Sequence, residues 1–223
     1  MLITRQAEEG ARTAALVEAR GFLPVSAPFL VVRHRRVAVP ARAQAILVTS
    51  GNALAAIAPR SVALLTVGDA TAAKARNAGF LHVRSAGGDA AALAVCAARE
   101  LRPRRGPLLL ASGARQGFSL AATLRAAGFT VVRRTAYEAV PVTIFPETAA
   151  SALHANTLHA AMFLSAETAA AFVRTCPTAL HQCLRNVLAL TIGKPAADAL
   201  DGLPWRQVRL AHRPTLDDVL ALL

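Results

Sequence analysis

The stretch PLLLASGARQGFSLAATLRAAGFTVV, Pro107 to Val132, reads as an apolar strand, a turn of small residues, a helix closed by glycine, and a second strand. The chain opens the same way, with MLITRQAEEGARTAALVEARGFLPV, Met1 to Val25. At a constant offset Ile3 falls on Leu110, Arg5 on Ser112, Ala15 on Ala122, and Gly21-Phe22 on Gly128-Phe129. A second pair follows. ILVTSGNALAAIA, Ile46 to Ala58, resembles AMFLSAETAAAFV, Ala161 to Val173, with Ser50 and Ser165 just after the strand. LLTVGDATAAKARNAGF, Leu64 to Phe80, resembles LALTIGKPAADALDGL, Leu188 to Leu203, and sets Gly68 against Gly193.

Two units thus repeat in the order A, B, A′, B′. Alternating strands and helices predict parallel sheets with flanking helices, and two copies predict two similar α/β lobes. LVVRHRRVAVPARAQ, Leu30 to Gln44, and RRTAYEAVPVTIFPE, Arg133 to Glu147, interrupt the pattern. Both contain proline and β-branched residues, so they read as extended connectors. If both cross between lobes, residues 1–33 with 141–223 form the first lobe and residues 38–134 the second. Segments 34–37 and 135–140 then join them. In such folds ligands gather at the carboxyl ends of strands, which places the strand-end turns along a cleft between the lobes.

Composition narrows the class. The 223 residues are 54% hydrophobic, enough to fill one large core or two small ones, and mean hydropathy is +0.41. No apolar run approaches the roughly 18 residues of a membrane span. Glu8 and Glu9 fall where a secretory signal would need an apolar region, so a soluble cytoplasmic protein is expected. Cys96, Cys176 and Cys183 lack a CxxC pair, and the histidines at 34, 82, 154, 159, 181 and 212 are scattered, so no disulfide framework or metal is expected. The net charge of +12 is almost wholly arginine, with Lys74 and Lys194 the only lysines. Aromatics are 4%, too few to interleave with basic residues along a nucleic acid, so a polyanionic small molecule fits the charge better.

The candidate binding residues follow the strands: Arg5; Thr49, Ser50 and Asn52; Gly68 and Thr71; Gly87 and Gly88; Ser112, Gly113 and Arg115; Ser165; Lys194. A strand that delivers a glycine turn to a helix gathers backbone N–H groups beside the positive end of the helix dipole, a natural cradle for carboxylate or phosphate. The same hydroxyls also suit plain helix capping. No P-loop, nucleophile elbow or GxGxxG is present, and Asp69 and Asp89 are the only carboxylates in these turns, so the sequence argues against paired-carboxylate chemistry. The candidate acid is Tyr137, the single tyrosine, on the second connector.

These residues resemble the uroporphyrinogen-III synthase family. The resemblance runs through LITR, VTSGNAL, VGDATAAKARNAGF, VRSAGGDAAAL, LLLASGARQGF, AYEAVP, FLSAETAAAFV and AHRPTLDDVLALL, nearly the full length. It implies two flavodoxin-like lobes joined by a two-stranded connector, and no cofactor. The implied reaction closes the linear tetrapyrrole hydroxymethylbilane with inversion of its last ring and loss of water. An azafulvene cation and a spiro intermediate lie on the way. The implied substrate carries acetate and propionate groups on every pyrrole, which suits the arginine-rich composition. Tyr137 matches the family tyrosine thought to help the hydroxyl leave, and Thr71 and Ser165 match family hydroxyls. Where several relatives carry hydroxylic residues, this chain has Gly193-Lys194-Pro195-Ala196, so Lys194 is either their replacement or a solvated helix cap. A monomer is expected. The alternative is a non-catalytic two-lobed binding protein for a carboxylated small molecule, and a basic nucleic-acid regulator is a third reading.

Overall fold

The computed structural model describes residues 1–223, apart from the side chains of residues 7 and 8. It divides into two compact units, Met1–Val31 with Val140–Leu223, and Val32–Ala139. The strands in chain order are β1 (Leu2–Ile3), β2 (Val25–Ser26), β3 (Leu30–His34), β4 (Val37–Ala38), β5 (Ala45–Val48), β6 (Ile57–Ala58) and β7 (Leu64–Thr66). Then come β8 (Val83–Ser85), β9 (Leu108–Gly113), β10 (Val131–Pro141), β11 (Ala160–Phe163), β12 (Leu188–Thr191) and β13 (Gln207–Leu210). The helices are α1 (Ala7–Glu18), α2 (Asp69–Asn77), α3 (Ala90–Glu100), α4 (Phe118–Ala126), α5 (Glu147–His154), α6 (Ala166–Thr175), α7 (His181–Leu184), α8 (Lys194–Asp198) and α9 (Leu216–Leu220).

The first unit holds a sheet in the order β13-β12-β11-β1-β2, parallel throughout. Numbered along the chain this is the flavodoxin-like order 2-1-3-4-5. The second unit runs β3-β10-β9-β5-β7-β8, parallel from β10 to β8. With β9 laid on β1, the strands β10, β5, β7 and β8 fall on β2, β11, β12 and β13 in the same spatial order. The second sheet is therefore a circular permutation of the first. Packing depends on which strands adjoin, so a chain entering the same layout at a different strand builds the same sheet.

Local chemistry explains the elements. β5, β9, β11 and β12 are buried at every residue, as central parallel strands covered on both faces must be, which is why they read as unbroken apolar runs. Gly21, Gly79 and Gly128 close their helices at φ of +80°, +86° and +85°, the left-handed conformation that stops a helix without β-carbon strain. Phe29, Phe145, Phe163 and Phe172 interlock with Trp205 at centroid separations of 4.9 to 5.6 Å in the first unit's core.

One expectation changes. After β5 the chain forms a six-residue 3-10 turn, Gly51–Ala56, where its counterpart after β11 forms the ten-residue α6. Pro59 follows soon after and leaves no length for a helix. β10 pairs with β9 from Val131↔Leu108 to Tyr137↔Gly113, with a register shift between Thr135 and Tyr137. The chain changes units inside β3 and again inside β10, neighbours in the sheet.

Candidate functional site

Because the strands of the first sheet run parallel, as do those from β10 to β8 in the second, their carboxyl ends share one edge in each sheet. In the first unit that edge carries Thr4-Arg5 after β1, Ser165 after β11 and Gly193-Lys194 after β12. In the second unit it carries the turns after β5, β7, β8 and β9, with Tyr137 beside the last of them.

The hydroxyls after β5 and β11 are matched caps. Ser50 Oγ accepts from the Asn52 N–H at 3.3 Å, and Ser165 Oγ accepts from the Thr168 N–H at 3.1 Å while sharing a 2.8 Å bond with the Thr168 hydroxyl. Thr49, Ser50, Asn52 and Ser165 lie at the edge, Ser50, Asn52 and Ser165 half-buried. The turn after β7 differs. Gly68 is the N-cap of α2 and supplies no side-chain acceptor, so the first N–H groups of that helix are capped by no side chain of residue 68. Thr71 lies in this first turn, half-buried.

Several expected contacts turn inward. Gly87 donates its N–H to Ser85 Oγ at 3.1 Å and Gly88 donates to Val67 O at 2.8 Å, so neither N–H is free for a ligand. Asp89 caps α3 through the N–H groups of Ala91 and Ala92 at 2.9 and 3.0 Å, which hold its carboxyl below the ordinary carboxylate value. Ser112 is fully buried, its Oγ donating to Gln116 O at 3.0 Å and accepting from Arg133 Nη1 at 3.3 Å. It braces its own loop instead of facing outward. Gly113 is buried beneath the Tyr137 ring and the Gln116 amide.

Of the charged candidates, Arg5 donates to Glu9 Oε2 at 2.6 Å and to Thr13 Oγ1 at 3.4 Å. It borders a cavity of about 580 Å³ with Arg12, Leu16 and Leu216. Lys194 donates to Asp198 Oδ1 at 2.8 Å, a bond that raises its ammonium above the ordinary value. Arg115 is exposed in the loop after β9.

Tyr137 belongs to the second unit and is buried, 7% exposed, with its hydroxyl donating to Gln116 Oε1 at 2.9 Å. The loop below it is tied down. Arg133 donates to Gln116 O at 3.0 Å and stacks over Phe118 at 3.9 Å, while Gly117 turns at φ +80°. Sequence reasoning passed over Gln116, Arg133 and Lys74. Lys74, on α2, extends across Gly51 and adds a cation to the turn after β5. No spacing rule could have found them, because each reaches its place from a different element.

Comparison with known proteins agrees with this architecture. The family described as uroporphyrinogen-III synthase HemD matches residues 11–221. Uroporphyrinogen-III synthetase from Helicobacter pylori shares 18% identity over 88% of this chain and 90% of that one, with a TM-score of 0.54, a likeness of fold. Uroporphyrinogen III synthase from Thermus thermophilus shares 22% identity over 99% and 94%, with a TM-score of 0.44. Among curated proteins no single sequence matches. Among the described residues no helix is long and apolar enough to cross a membrane. With one family profile spanning nearly all of both permuted units, the chain belongs to the uroporphyrinogen-III synthase family.

Proposed function

We propose that the chain closes hydroxymethylbilane to uroporphyrinogen III by the reaction of its family, with Tyr137 as the proton donor and the strand-end turns as carboxylate partners. The observation that supports this assignment is the placement of Tyr137, whose phenol stands at the carboxyl edge of β9 within 2.9 Å of a side-chain amide. The phenol gives its proton to the departing hydroxyl, the C–O bond breaks, and water leaves behind an azafulvene cation. The far ring attacks through its substituted carbon. The spiro intermediate then fragments and recloses, and the proton lost at reclosure balances the one first given.

The same substrate closes without inversion when no enzyme is present, so the catalyst must hold it in the inverting geometry faster than that reaction proceeds. In this reading Arg5, Arg115, Lys74 and Lys194 receive carboxylates. Thr49, Ser50, Asn52, Thr71 and Ser165 add hydroxyl or amide contacts, and the Gly68 turn offers backbone N–H groups. Ser112, Gly113, Gly87 and Gly88 hold the turns in shape. Residues 34–37 and 135–140 join the two lobes. The enzyme works as a cytoplasmic monomer without a cofactor.

The test is incubation with freshly made hydroxymethylbilane, separation of product isomers, and single-turnover rates for the parent and Tyr137→Phe. The inverted isomer should dominate at substoichiometric protein, and Tyr137→Phe should slow turnover at least roughly tenfold with the melt unchanged. Only the uninverted isomer at every protein concentration would instead support the two-lobed binding protein.

A further inference from the structure

Resting on Tyr137 as the proton donor, we infer that Gln116 is its positioning residue: the side-chain amide first holds the phenol O–H and then, by turning over, donates its own N–H to the phenol oxygen and leaves the O–H for the substrate.

The geometry leaves little other freedom. The backbone of Gln116 is fixed on both sides, its N–H donating to Gly113 O at 3.1 Å and its carbonyl accepting from Ser112 Oγ and Arg133 Nη1, each at 3.0 Å. Arg133 is fixed in turn by its stack on Phe118. Only the side-chain torsions remain to move, and the terminal torsion of glutamine is soft and roughly two-fold. In the resting arrangement the phenol donates to Gln116 Oε1 at 2.9 Å, so its proton is held by the amide. A half-turn of the amide breaks that hydrogen bond and makes another in its place, with Nε2 now donating to the phenol oxygen. Residue 113 leaves room for the pair because it has no β-carbon. One built there would lie 3.1 Å from both Gln116 Oε1 and Tyr137 Cζ.

The exchange has a chemical consequence. A phenol that donates to a carbonyl is held in its neutral form, whereas an N–H donated to the phenol oxygen favours the phenolate left after proton transfer. Gln116 therefore both releases the proton and stabilises what remains. It is exposed while Tyr137 is buried, so it is the partner that can move at the surface of the site.

Gln116→Glu tests this because a carboxylate accepts from the phenol but has no N–H to return. Gln116→Met keeps the length and removes both functions. Tyr137 is the only tyrosine, so its ionisation can be followed by tyrosinate absorbance without interference from another. Arg133, which donates to Gln116 O, and Arg115, the residue before Gln116 in the loop, are retained in every variant. Gln116→Glu should lose at least roughly tenfold in single-turnover rate with half-saturation nearly unchanged, and raise the tyrosinate midpoint above the parent's. Gln116→Met should lose less. In a Tyr137→Phe background neither change should cost anything further.

A parental rate and midpoint in Gln116→Glu would overturn the inference. An equal loss with and without Tyr137 would overturn it too, since Gln116 would then act on something else. A Tyr137→Phe variant at the parental rate would remove the acid itself and this inference with it. A slow Tyr137→Phe beside a fully active Gln116→Glu would remove the inference alone. Gln116 is exposed, so its substitutions leave the core intact, and a melt of each variant checks that they do.

Discussion

The Lys74 side chain lies across Gly51, so close that a β-carbon on residue 51 would sit 3.0 Å from Lys74 Cδ and 3.7 Å from Nζ. This puts an ammonium from α2 over the turn that follows β5. If that turn receives a substrate carboxylate, Lys74→Met should raise the half-saturating substrate concentration several-fold and change the rate constant little. That is the scale of a partly solvated ion pair, about 1 kcal/mol. Gly51→Ala should produce a smaller shift in the same direction, because a flexible lysine stem can move aside. Steady-state kinetics on both variants checks the pair, and an unchanged half-saturation in Lys74→Met would remove Lys74 from the binding set.

Ionic strength offers a second test of carboxylate recognition. Charges at an exposed sheet edge are screened over about 8 Å at physiological salt. Half-saturation should rise steadily with added potassium chloride while the single-turnover rate at saturating substrate stays flat. Salt-independent binding would point to recognition of the pyrrole faces.

Gly117 carries the loop that holds Gln116. It sits at φ +80°, and a β-carbon there would lie 2.9 Å from Ser112 Oγ, a buried group that cannot retreat. Gly117→Ala therefore combines left-handed backbone strain with a steric clash, roughly 2 kcal/mol together. The expected result is a lower melting temperature and slower turnover. Gly117→Ala combined with Ser112→Ala should recover part of the stability, since it removes the Oγ atom but leaves the φ strain.

Asp89 gives the fold a pH dependence whose sign can be worked out. The Ala91 and Ala92 N–H groups favour its carboxylate, so its folded pKa lies below the ordinary 3.8. Its stabilising contribution is complete above that ordinary value and is lost as pH falls through the lower, folded one. Asp89→Ala should melt below the parent at neutral pH, and the gap should close in acid. A gap that persists at the lowest pH at which the protein folds would mean that the cap works through shape and not through charge.

Much of the architecture was legible along the chain because it rests on local chemistry. Apolar runs mark strands that parallel packing buries on both faces, and Gly21, Gly79 and Gly128 mark helix ends because only glycine enters the left-handed region freely. The repeated order of these signals carried the two-unit plan and the turns at the strand ends. Ser50 and Ser165 were legible as caps for the same reason, since a cap and its N–H lie two or three residues apart.

What the sequence could not decide was which way each group in those turns points. Ser112 looks like its counterparts at the strand ends, yet Arg133, 21 residues away, draws its hydroxyl inward. The N–H groups of Gly87 and Gly88 look available until Ser85 and Val67 engage them. Gln116, unremarkable in its loop, becomes the partner of Tyr137 only because β10 lies beside β9 and a register shift brings the phenol over Gly113. Strand patterns, caps and glycine stops depend on residues within a few positions of one another and are written in the chain. The donors and acceptors of the site come together across strands, so their pairing was decided by tertiary packing.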